Sequence, residues 1–74
     1  MNINELRRAH QARPFWRFLV HLADGREILV THPENLMVTS DGRGVAIYVP
    51  REGTEIVDAP LITAIDFRRR KRGA

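Results

Sequence analysis

The apolar positions of this chain change period once. Ile3, Leu6 and His10, with Ala9 beside them, recur at helical spacing, whereas from Phe15 onward apolar and polar side chains alternate. Asn2 stands where a side chain can cap the first free N–H groups of a helix, and Glu5, three residues on, completes a capping box. Pro14 disfavours helical geometry at Arg13, so the helix is expected to end near Ala12. A helix this short does not persist alone in water and must pack on the rest of the fold.

Strand alternation puts Trp16, Phe18, Val20 and Leu22 on one face, with Phe15, Arg17, Leu19 and His21 on the other. Ala23-Asp24-Gly25 is the strongest turn signal, and matching faces across it decides the loop length. A two-residue loop would set Leu22 opposite Glu27 and Phe18 opposite Thr31. A three-residue loop sets Val20 opposite Ile28 and Phe18 opposite Val30, with glycine where a positive φ is needed. A slip of one residue turns every side chain over, so the longer loop is expected. On the outer face it pairs His21 with Glu27 and Leu19 with Leu29.

His32-Pro33-Glu34-Asn35 interrupts the second strand. Leu36 to Thr39 resume extended structure, Ser40 to Gly44 turn, and Val45, Ile47 and Val49 alternate with Ala46 and Tyr48. After Pro50 to Gly53, Thr54 to Asp58 form a strand in which Ile56 and Val57 compete for the core. Following Ala59-Pro60, the last strand runs from Ile62 to Phe67 with Thr63, Ile65 and Phe67 on one face. The pattern predicts a mainly β fold: one N-terminal helix and about five antiparallel strands in a single sheet, strongly curled or closed into a small barrel that removes its edges.

Length permits one domain, expected over residues 1–67, because 74 residues form a single core. A composition of 43% hydrophobic and 28% charged residues suits a folded soluble chain. No apolar run is long enough for a transmembrane helix or a signal-peptide core, so no membrane partner is expected. The chain lacks cysteine, which leaves no disulfide framework and no thiolate chemistry. A reducing, cytoplasmic setting is the expectation that follows.

Charge changes the picture through its position. The formal net charge is +3, but five of the twelve basic residues form the run Arg68-Arg69-Arg70-Lys71-Arg72, and residues 1–67 carry seven basic against nine acidic side chains. The body is slightly acidic and residues 68–74 read as a disordered basic tail. That tail either is merely solvated or contacts nucleic-acid phosphates through Arg68, Arg69, Arg70, Lys71 and Arg72, which would give affinity without base preference.

Arg13-Pro14-Phe15, Phe18, His21-Leu22, Asp24-Gly25-Arg26, His32-Pro33-Glu34 and Ile62-Thr63 with Ile65 together resemble the R-P-F…H-L-x-D-G-R…H-P-E pattern of a family of small bacterial proteins. No activity is implied by that resemblance. The order of helix, strand, D-G-R turn, strand and a terminal I-T-x-I segment is also similar to the Sm-like fold, a Src-homology-3-like barrel that forms rings on RNA. This second resemblance implies a small barrel and makes nucleic acid the alternative partner.

No residue set points to catalysis. His10, His21 and His32 lack metal-ligand spacing and read as hydrogen-bonded rim residues. Ser40 is the only serine and sits in a turn beside Asp41-Gly42. Gly42-Arg43-Gly44 lacks the Lys-Ser/Thr pair and the helix of a phosphate loop. Catalytic, cofactor and metal residues are therefore expected to be none, and no small-molecule substrate is expected. Of Phe15, Trp16, Phe18, Tyr48 and Phe67, the two that share a face with Val20, Trp16 and Phe18, are expected in the core, and Tyr48 on the surface. Leu19, Leu29 and Tyr48 are the candidate protein interface, although the stripe Ile3, Leu6 and His10 of the N-terminal helix is expected to cover the leucine pair. The functional expectation is a non-enzymatic interaction module that associates with itself or another protein; the alternative is a nucleic-acid-associated protein using its basic tail.

Overall fold

A computed structural model of the chain describes residues 2–68. Helix α1 (Ile3–Gln11) leads into six strands: β1 (Phe18–Leu22), β2 (Glu27–Val30), β3 (Leu36–Val38), β4 (Gly44–Val49), β5 (Gly53–Asp58) and β6 (Ile62–Phe67). Short 3-10 helices at Pro33–Asn35 and Ala59–Leu61 join β2 to β3 and β5 to β6. The strands form two antiparallel sheets of three, ordered β2-β1-β6 and β3-β4-β5. The expected single sheet curled into a barrel is thus corrected to two sheets without closure. The physical reason lies in the two proline-bearing connections, Pro33 and Pro60, which break the ladder between the sheets.

Asn2 caps α1, its Oδ1 accepting from the Asn4 N–H at 2.8 Å, and the helix stops two residues before Arg13. Its inner stripe is Leu6 and Ala9, both buried with Phe18, Val20 and Val30. Helix α1 therefore joins the core that the two sheets share. It does not cover Leu19 and Leu29, which point the other way. His10 Nε2 donates to the Pro33 carbonyl at 2.7 Å and ties the helix to the start of the second sheet.

The β1–β2 hairpin has the three-residue loop that the face-matching argument requires. Phe18 pairs with Val30, Leu19 with Leu29, Val20 with Ile28 and His21 with Glu27. Gly25 takes φ +93°, a conformation glycine adopts without steric cost. Trp16 is a correction. It is 47% exposed: the pairing of β1 with β2 ends at Phe18, and Trp16 lies before the start of the strand. Phe15 takes part in the core instead, its ring 5.8 Å from that of Phe18.

A bulge between His21 and Leu22 also changes the last strand. Val20 pairs with Ile65 and His21 with Ala64, but Leu22 pairs with Ile62, so Thr63 is the extra residue. Its hydroxyl donates to the His21 carbonyl at 3.2 Å. Ile62 is thereby buried alongside a half-buried Ile65, while Thr63 and Phe67 are exposed. Of the expected common face, Ile65 and Phe67 remain together, opposite Val20 and Phe18, with the Phe67 ring 6.1 Å from that of Phe18; the bulge removes Thr63 from it.

In the second sheet β4 directs Val45 and Ile47 inward. The competition on β5 is resolved for Val57, which pairs with Val45 and is 5% exposed, against Ile56 at 73%. The turn before β5 sets this register. Val49 pairs with Gly53, the Glu52 N–H donates to the Val49 carbonyl at 2.9 Å, and Arg51 and Gly53 both take positive φ. Strands β2 and β4 meet across the interior, and no polar side chain among the described residues is buried.

Candidate functional site

With every inward position taken by aliphatic residues and Phe18, any function of the described chain rests on its surfaces. Three stand out. The first is the outer face of β3-β4-β5. Met37 pairs with Ala46 and Ala46 with Ile56, so these three side chains form a continuous row across all three strands. Tyr48, opposite Thr54, lies next to that row on the same face. Met37 is 61% exposed and Tyr48 46%; the row on the other side, Gly44 opposite Asp58, brings one exposed carboxylate to the margin of the patch.

The second surface is the outer face of β2-β1-β6, which presents the Leu19–Leu29 pair. Leu29 is exposed and Leu19 half-buried. Asp66 pairs with Leu19 from β6. His21 stands between two carboxylates, its Nδ1 3.5 Å from Glu27 and its Nε2 3.8 Å from Asp66. This face is therefore polar around a small apolar centre. Tyr48, grouped with the leucines in the sequence reading, belongs to the other sheet; the structure does not bring the three together.

The third surface is the end of the first sheet where α1 hands over to β1. A cleft of about 310 Å³ there is lined by Phe15, Trp16, Arg17, Thr31, His32 and Arg68. Arg68 continues the β1–β6 pairing, its N–H donating to the Arg17 carbonyl at 2.8 Å, so the first residue assigned to the tail is joined to the body. Arg17 Nε in turn points to the Arg68 carbonyl at 3.4 Å. Arg69, Arg70, Lys71 and Arg72 lie outside the described residues. Trp16 also borders a larger groove of about 740 Å³ between α1 and β6, with Phe67 and Ile65.

The histidines do not converge. His10 is held by Pro33, His21 by the two carboxylates, and His32 Nδ1 lies 3.0 Å from the Thr31 hydroxyl. Among the described residues no three His, Asp or Glu side chains are grouped as metal ligands. Ser40 is exposed in its turn, where Asp41 accepts from the Thr39 hydroxyl at 2.6 Å and the Arg43 N–H at 3.0 Å. Those two bonds hold the Asp41 carboxyl below the usual carboxylate range. Asp24 is lowered likewise by the backbone N–H and then the guanidinium of Arg26. Both are turn-stabilising groups. No helix among the described residues is long and apolar enough to cross a membrane.

No family model, curated protein or solved structure matches the chain. Met37 and Ile56 escaped the sequence reading, since Leu36-Met37-Val38 does not alternate and Ile56 is indistinguishable from Val57 until β4 sets the register. Trp16 and Arg17 escaped because strand alternation assigned one to the core and the other to an open face.

Proposed function

We propose that the protein is a small non-enzymatic interaction module that associates with a second copy of itself through the outer face of β3-β4-β5. The observation that carries this reading is the Met37–Ala46–Ile56 row, whose ends are the two most exposed of the large hydrophobic residues. Contiguous exposed apolar surface is uncommon on monomers and marks contact sites. An apolar row with its one carboxylate, Asp58, at the margin suits a twofold contact, where each residue meets the same surface of its partner and like charges at the centre would oppose one another. Chains under about 80 residues gain little net stability from their own core, so association supplies a driving force. The Leu19–Leu29 pair is a weaker candidate, because Asp66, His21 and Glu27 surround it. Tyr48 remains in the proposed interface, beside Met37 and Ile56.

Sedimentation equilibrium tests the reading directly. The native chain should show a mass above the 8.5 kDa of one copy, and Ile56→Glu should restore that mass. A native chain that stays monomeric at all concentrations, or an Ile56→Glu chain with unchanged mass, refutes it.

A further inference from the structure

We propose that two copies stack the outer faces of β3-β4-β5 with their strands antiparallel, so that Tyr48 of each copy lies over Gly44 of the other and Thr54 over Asp58. The inference rests on the self-association proposed above and adds which residues meet. Its first support is the order of side chains along the face. Outward positions on β4 run Gly44, Ala46, Tyr48, and those paired with them on β5 run Asp58, Ile56, Thr54. Side-chain depth therefore rises along β4 from none to a phenol, with the Met37–Ala46–Ile56 row in the middle.

A twofold contact joins the same surface of both copies, and for two stacked faces its axis has two settings. Lying along β4, the axis sets Tyr48 over Tyr48 and Gly44 over Gly44. Stacked sheets stand about 10 Å apart. Two phenols end to end overfill that gap and two glycines leave it empty, against the close packing of protein contacts. Lying across the strands through Met37, Ala46 and Ile56, the axis instead sets each Tyr48 into the space above a Gly44. The second support is charge. The same setting brings the Asp58 carboxylate to Thr54, whose hydroxyl can donate to it, and keeps the two Asp58 groups at opposite margins of the contact. Both residues are exposed, and the Asp58 side chain does not cap the 3-10 helix that follows it, which leaves the carboxylate open to a partner.

Sedimentation equilibrium of full chains can read the contact between Thr54 and Asp58. Within one copy these residues are four apart on β5, roughly 13 Å at the usual rise of a strand. A charge placed at position 54 therefore reaches Asp58 only across the contact. Thr54→Arg should tighten association and Thr54→Glu weaken it, each by roughly 2- to 30-fold for two symmetric exposed pairs. Both changes should vanish in about 1 M salt. Adding Asp58→Arg to Thr54→Glu should restore the native affinity. Net charge alone gives the opposite order: a chain at +3 gains repulsion between copies from an added arginine and loses some with an added glutamate. If the native chain associates and Ile56→Glu does not, but Thr54→Arg binds no tighter or Thr54→Glu no weaker than native, the antiparallel setting is overturned while the contact through this face stands. The setting is overturned equally if the changes persist in high salt. A native chain that stays monomeric removes both.

Discussion

Arg26, just past the β1–β2 turn, reaches Glu55 on β5 with one guanidinium nitrogen while its Nε holds Asp24 at 3.0 Å. One exposed side chain thus links the hairpin of the first sheet to an edge strand of the second. The Glu55 bond, followed by the Asp24 bond, raises the Arg26 pKa, so the guanidinium stays charged at every accessible pH. Exposed ion pairs contribute little and are screened by salt. Glu55→Gln should therefore lower the urea midpoint only slightly at low ionic strength and not at all in high salt. A large, salt-independent loss would mean that the bridge fixes how the sheets meet.

The neighbours Ile56 and Val57 should respond oppositely to truncation. Val57→Ala removes two methyl groups from a sealed interior and should cost about 2 kcal/mol. Ile56→Ala, on the open face, should stay within about 0.5 kcal/mol for the monomer. Chemical denaturation at low protein concentration distinguishes them, and equal losses would contradict the register of β5.

Gly25→Ala should cost about 1 kcal/mol. No atom lies within 4 Å of the added methyl, so the penalty comes from the positive φ alone. Gly25→Asn, which tolerates that conformation better, should recover part of the loss. Thermal melts of both variants provide the comparison.

Acid should weaken the turns through Asp41 and Asp24. Both carboxyls ionise more readily in the folded chain than at their ordinary pKa of 3.8. Their contribution is complete above that value and is lost as pH falls through the lowered folded pKa. Asp41→Asn should flatten the dependence of the urea midpoint on pH below about 4, because the variant lacks at neutral pH the contribution that the native chain loses only in acid. An unchanged acid limb in Asp41→Asn would place the titrating group elsewhere.

Much of this architecture can be read directly from residue order. The cap at Asn2, the end of the helix before Arg13 and the whole β1–β2 register follow from local rules. Only one loop length there buries Phe18 and Val20 against Val30 and Ile28. The exposure of Tyr48 follows equally from the alternation of β4. Such features are legible because backbone period and turn chemistry act over a few residues.

What lies beyond that range required the tertiary structure. Ile56 and Val57 are equivalent to any local rule until Val45 and Ala46 choose between them across the ladder. Trp16 falls before the start of β1, and Ile62 gains an inward direction from a bulge opposite His21. The row Met37–Ala46–Ile56 and the cleft joining Trp16 and Arg17 to Arg68 assemble residues from separate strands. The sequence by itself determined the helix, the first hairpin and the side chains available; pairing between distant strands decided which were sealed from water and which were left facing it. Side-chain direction has a period of two along a strand, so a one-residue shift imposed from a distant partner reverses it.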